Sequence, residues 1–160
     1  IMKYLLSFLT LVLLLNCSAN KTSIKYAQVE YEAGACFGFC PIYKISINSD
    51  RTAIFEAKRF NFSRDTSSSD ENEGTFKGTI DQVQYEKLIS ILDSLDPKNL
   101  NDFYGNKNVS DLPTSYLTIK YKDASIKKIQ DYGKRGTPEL QNLYQFFDDL
   151  RTNQAWTKIE

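Results

Sequence analysis

Two of the three cysteines in this 160-residue chain, Cys36 and Cys40, stand with three residues between them. Thiols at that spacing can close a disulfide, exchange electrons, or share a metal. A straight strand would hold them roughly 13 Å apart at the strand rise, against the roughly 4.4–6.8 Å a bridge needs. The chain must therefore fold back between them, and Gly38 at the centre is the residue free to take a positive φ. Closing so small a ring stabilises by only about 2 kcal/mol on chain-entropy grounds, so a bridge here would fix loop shape. A thiol–disulfide redox protein normally places two residues between its cysteines, at a helix N-terminus that lowers the thiol pKa. Here Pro41 follows and leads into a strand. A metal would find two thiolates and no imidazole, which leaves tetrahedral zinc short of ligands. The expectation is a structural disulfide, with redox work as the alternative.

Other residue types narrow the chemistry further. The chain has no histidine, so Ser-His and Cys-His nucleophilic pairs and imidazole pH switches are excluded. The acidic group Asp65, Asp70, Glu71 and Glu73 lacks the ligand spacing and central glycine of a calcium loop, and reads as a solvated segment. Arg59-Phe60-Asn61-Phe62-Ser63-Arg64 alternates as a stacking platform would, or as a strand with one buried aromatic face; the strand is the simpler reading. Asp148 and Asp149 are adjacent on a helix and point apart, which suits carboxylate-pair catalysis poorly. Asp102, Tyr104 and Asp111 lie in a loop-rich stretch, where sites often occur. No catalytic residue, metal or cofactor is assigned.

The third cysteine, Cys17, ends a different pattern. Lys3 precedes a short apolar run, Tyr4 to Leu15, too short to span a bilayer, which needs about 20 residues. With Met2 read as the start, residues 1–16 form a secretory signal. Leu14-Leu15-Asn16-Cys17 resembles a bacterial lipobox, with Asn16 bulkier than the usual residue before the cut. The resemblance implies cleavage before Cys17 and acylation on it. Two or three acyl chains exceed the marginal binding of one chain, at about 0.8 kcal/mol per buried CH₂. Residues 17–25 would then be a lipidated tether to the bilayer. Ser18 after the cysteine resembles lipoproteins sent to the outer membrane, and the periplasmic face is expected. Lys3 leaves with the signal, so 19 of the 20 basic side chains face 20 acidic ones. That balance argues against a nucleic-acid partner, which demands clustered positive charge.

Residues 26–160 are long enough for one domain with one core. Tyr43, Ile45 and Ile47 alternate with polar residues, Asn48 to Arg51 has turn chemistry, and Thr52 to Lys58 returns as a hairpin. Thr75 to Ile80 reads as another strand. Asp81 is the N-cap of a helix over 82–95, with Gln84 completing a capping box and Tyr85, Leu88, Ile89, Leu92 and Leu95 on its apolar stripe. Asp96-Pro97 stops it. Strands over Tyr116–Tyr121 and Ser125–Tyr132 precede a second helix, opened by Thr137 and Pro138 and buried through Leu140, Leu143, Tyr144, Phe147 and Leu150. The expectation is an α+β fold: an antiparallel sheet of about five to seven strands with both helices on one face, as two strand–strand–helix units.

Cys36-Phe37-Gly38-Phe39-Cys40-Pro41-Ile42-Tyr43, the hairpin after it, and Asp111-Leu112-Pro113 ahead of a strand resemble an uncharacterised domain family of Bacteroidota lipoproteins, domain of unknown function 6438. In that family a Cys-Phe-Gly-x-Cys-Pro-x-Tyr motif leads the domain, which points to Cys36, Phe37, Gly38, Cys40, Pro41 and Tyr43 here. The resemblance spans most of Tyr26 to Trp156 and departs at the hairpin turn, where the family tends to have Asp-Gly and this chain has Asp50-Arg51. It implies an address and a domain, and no reaction. The functional expectation is a membrane-anchored, non-catalytic binding or structural module of the envelope, docking a protein or glycan on its sheet. An envelope inhibitor or immunity protein is a further alternative.

Overall fold

The computed structural model describes residues 25–62 and 73–160. Eight strands form one sheet in the order β5-β7-β6-β1-β2-β3-β4-β8. They are β1 (Tyr26–Ala33), β2 (Ile42–Asn48), β3 (Thr52–Arg59), β4 (Gly74–Thr79), β5 (Phe103–Tyr104), β6 (Thr114–Tyr121), β7 (Ile126–Tyr132) and β8 (Thr157–Lys158). Every neighbouring pair is antiparallel except β5 with β7. The helices are α1 (Gln82–Leu95) and α2 (Pro138–Asn153), with a 3₁₀ turn at Pro97–Asn99. The sheet thus exceeds the expected five to seven strands. The additions are β1, which lies at the centre, and the two-residue edge strands β5 and β8.

Alternation decides which face is covered. Val29, Tyr31 and Ala33 of β1, Tyr43, Ile45 and Ile47 of β2, Ala53, Phe55 and Ala57 of β3, and Leu117 and Ile119 of β6 are all buried. They share one core with Leu88 and Leu92 of α1 and Leu143 and Phe147 of α2, so both helices cover the same face. Their starts follow local chemistry. The Asp81 carboxylate accepts from the Gln84 backbone N–H at 2.8 Å, and the Thr137 hydroxyl from that of Leu140 at 3.2 Å, satisfying amides the first turn leaves open. Asp96 closes α1 with a left-handed φ of 44° ahead of Pro97. The opposite sheet face carries Gln28, Glu30, Lys44, Ser46, Glu56, Tyr116 and Lys128 and stays open to solvent.

Strand order and direction contain an approximate two-fold axis normal to the sheet, between β1 and β2. Rotation about it exchanges β1 with β2, β6 with β3, β7 with β4 and α2 with α1, and keeps both helices on one face. The repeated strand–strand–helix unit is therefore β3-β4-α1 against β6-β7-α2. Pairing the β2–β3 hairpin with β6–β7 instead would put the helices on opposite faces. Side chains follow the axis: Tyr26 of β1 donates to Asp93 of α1 at 2.8 Å, and Tyr43 of β2 donates to Asp148 of α2 at 2.6 Å. Asp93 follows the buried Leu92 as Asp148 follows the buried Phe147. The relation breaks at the edges, where β5 is parallel and β8 antiparallel to its neighbour.

The β2–β3 turn accommodates the departure noted in the sequence. Arg51 takes a φ of 70°, the left-handed conformation glycine adopts more easily. Its guanidinium donates to the Ile80 carbonyl at 3.3 Å, and the Asp50 carboxylate accepts from the Thr52 amide at 3.0 Å and hydroxyl at 2.6 Å. The expected aromatic face beyond Arg59 does not form. β3 ends at Arg59, Phe60 takes a φ of 57°, and Asn61 is the buried residue. The Asn61 amide donates to the carbonyls of Ile42 and Arg59, so a polar side chain replaces the ladder where the strand stops.

Candidate functional site: the disulfide-closed tip

Residues 34–41 connect the two central strands, β1 and β2. Cys36 and Cys40 are joined by a disulfide with their Cα atoms 5.8 Å apart. Gly38, between them, has a φ of 127°, and a Cβ added there would meet nothing within 4 Å. It is needed for its backbone freedom, and space is not the constraint. The loop is stitched to the segment before β6: Gly34 N–H donates to the Thr114 carbonyl at 2.7 Å and Phe37 N–H to the Asp111 carbonyl at 3.2 Å. Asp111 holds a left-handed φ of 62° that aims this carbonyl.

The motif side chains divide by depth. Tyr43 is fully buried, edge-on to Phe55 and Tyr31 at centroid distances of 6.0 and 5.8 Å. Burial, then the neighbouring Tyr31 and Asp148, push its phenol well above the usual range, so it stays a neutral donor to Asp148. Tyr144 is held neutral in the same way, by burial and then by Asp131, to which it donates at 3.0 Å. Asp131 is itself fully buried and also accepts from the amides of Arg135 and Gly136, which fixes the turn before α2. These groups are structural.

The phenylalanines of the motif do the opposite. Phe37 is 89% exposed and Phe39 is 59% exposed. Phe39 meets Phe60 edge-on at 5.4 Å, and the Arg59 guanidinium lies 4.6 Å from the Phe60 ring centroid. Arg59 pairs with Ile42, immediately after the loop. The tip is therefore a constrained ring bearing two outward phenylalanines, backed by a third and by an arginine. From Ala35 to Pro41 the cysteines are the only residues able to do chemistry. What this arrangement can do is press apolar rings into another surface.

The other sequence candidates are scattered. Asp102 pairs with Lys127 at 2.6 Å, the Tyr104 hydroxyl accepts from the Asn101 amide at 3.2 Å, and only Asp111 reaches the tip, through its backbone. Asp148 faces Tyr43 while Asp149 accepts from Gln145 at 2.8 Å, so the two carboxylates serve different partners. Cys17, Ser63, Arg64, Asp65, Asp70 and Glu71 lie outside the described residues; Glu73 lies just inside them. Among the described residues no group of three or more His, Cys, Asp or Glu could hold a metal, and no helix is long and apolar enough to cross a membrane.

Fold and tip together define an α+β domain built on an open, mostly antiparallel sheet, with its cysteine motif at one end. The chain belongs to the family described as Domain of unknown function (DUF6438), which matches residues 27–151 and so takes in the motif, all of α1, all but the last two residues of α2, and every strand but β8, less the first residue of β1. No curated protein matches it.

Proposed function

We propose that this is a Bacteroidota lipoprotein of the cell envelope, acylated on Cys17 and held in the outer membrane on its periplasmic face. Its domain is a non-catalytic binding module that contacts a protein partner through the Cys36–Cys40 tip. The observation that carries the binding reading is the exposure of Phe37 and Phe39 on a disulfide-closed loop. Burying one such ring removes at least ~150 Å² from water, worth about 4 kcal/mol at ~25 cal/mol per Å², the size of an interface hot spot. The tip offers no side-chain hydroxyl, amide or carboxylate to meet sugar hydroxyls, so its partner is an apolar protein groove.

The tether supports a partner lying away from the anchoring bilayer. Lys25 precedes the start of β1 and the tip follows its end, about 23 Å away at the strand rise. Ser18 to Lys25 reach at most ~28 Å when fully extended. Bringing the tip to the lipid would therefore take nearly all of that length. The redox alternative has less support, because Cys40 leads through Pro41 into β2, whereas a redox cysteine pair normally opens a helix. A reduction potential below about −300 mV marks a structural bridge, and one near −120 to −200 mV would favour redox work. For the anchor, Cys17→Ala should move the protein from the membrane fraction to the soluble periplasm; persistence in the membrane would refute acyl anchoring.

A further inference from the structure

The open sheet face is unevenly satisfied. Across β1, β2 and β3 its polar side chains bond one another. Gln28 donates to Asn48 at 2.9 Å, Asn48 to Thr52 at 3.0 Å and Ser46 to Glu30 at 3.1 Å. Lys44 pairs with Glu56 at 2.6 Å and Lys58 with Glu32 at 3.2 Å. The β6–β7 side differs. Tyr116, Thr118, Lys120, Lys128 and Gln130 make no side-chain hydrogen bond or ion pair among the described residues. The register sets Tyr116 opposite Gln130, Thr118 opposite Lys128 and Lys120 opposite Ile126. Directly opposed Cβ atoms sit about 5 Å apart, so these residues form one patch. It borders an open depression of about 580 Å³, lined by Asp102, Tyr116, Ile126, Lys127, Lys128 and Gln130.

Charge selects among ligands. Lys127 is occupied by the Asp102 carboxylate and the Leu100 carbonyl. Lys120 and Lys128 have no such counter-ion; Lys128 lies diagonally next to Tyr116, whose ring is 42% exposed, and Lys120 lies further along the same row. We propose that this patch binds an anionic polysaccharide. The pyranose ring stacks on Tyr116, its carboxylates pair with Lys128 and Lys120, and its hydroxyls bond the Gln130 amide and the Thr118 hydroxyl. A depression this open suits an extended polymer better than a compact ligand, which needs an enclosing pocket. Nucleic acid is disfavoured, because the patch offers two unpaired lysines, Lys120 and Lys128, and a phosphate backbone with one charge per nucleotide demands a longer run of clustered cations. The patch goes beyond the tip reading and uses a different surface, so either can fail alone.

The test is an amide-resolved NMR titration of the full chain with pentagalacturonate, with cellopentaose as the neutral comparator. Shifts should centre on Tyr116, Thr118, Lys128 and Gln130, and added salt should weaken them as it screens exposed charge. Tyr116→Ala and Lys128→Ala should each weaken binding about tenfold, with the melting temperature unchanged. Phe37→Ala should leave the titration as it was. Absence of shifts up to about 10 mM ligand, shifts centred elsewhere, or an equal response to cellopentaose would overturn the proposal. Tighter binding of single-stranded DNA or anionic phospholipid vesicles at the same residues would overturn the assignment to a polysaccharide.

Discussion

Replacing Cys36 and Cys40 together with serine separates two roles the bridge could have. It spans a sequence separation of 4, and a ring that small removes little entropy from the unfolded chain, about 2 kcal/mol. For a domain of this length that corresponds to a melting-temperature loss of about 6–10 °C. The strands on either side should be indifferent. β1 and β2 remain paired from Gln28–Asn48 to Ala33–Tyr43, and the outward Phe37 contributes nothing to the core. The tip should suffer more, because each freed backbone residue regains about 1–2 kcal/mol of conformational entropy that binding must remove again. Thermal unfolding gives the first quantity and amide hydrogen exchange the second. The Phe37 amide, bonded to the Asp111 carbonyl in the intact loop, should lose protection while those of Val29 and Tyr31 keep theirs. A melting loss beyond about 15 °C, or deprotection of the β1 core amides, would show the bridge holding the fold and refute this division of labour.

Alkali should unfold the domain through its buried phenols. Tyr43 and Tyr144 have folded-state values raised above 10.0, so their contribution is complete below pH 10 and is lost as pH rises beyond it. Denaturant titrations should show stability falling by about 1.4 kcal/mol per pH unit for each of them, and the tyrosinate absorbance lost in a Tyr43→Phe, Tyr144→Phe variant should be the part that appears only as the parent chain unfolds. Tyr43→Phe removes the 2.6 Å bond to Asp148 and should cost about 1–2 kcal/mol in urea unfolding at neutral pH. Asp123 is held down to about 2, first by the Ser125 hydroxyl, then by its backbone amide and Lys98. Its carboxyl resonance should titrate there and move up in Ser125→Ala. Phe37→Ala with Phe39→Ala should leave stability within about 0.5 kcal/mol of the parent, since both rings face water.

Local chemistry made much of this fold legible from the sequence. α1 begins after Asp81 and stops at Asp96, and α2 opens at Pro138 behind Thr137, because caps and proline act over a few residues. The β2–β3 hairpin and the positive φ of Gly38 were visible for the same reason. β1 was missed although Val29, Tyr31 and Ala33 alternate. Its register slips between Tyr26 and Gln28 and blurs the pattern at its start, and its acidic residues resemble a linker. β5 and β8 have two residues each, too few for any period. Two features of the sites depend on distant pairing and no local signal carries them. Hydrophobicity alone would bury Phe37 and Phe39. The Tyr116–Lys128 patch exists only because β6 and β7 meet in one register and β1 to β3 have already neutralised each other. If either strand slipped by one residue, that strand's share of the patch would turn to face the helices.

The most direct test of the tethered-binder account places a photoreactive phenylalanine analogue at position 37 in the lipidated protein, with cross-linking in intact cells. The account predicts a covalent adduct to one protein, lost in the Cys36→Ser, Cys40→Ser variant. Adducts to phospholipid would contradict it, because they would make the bilayer, and not a protein partner, the surface that the tip contacts.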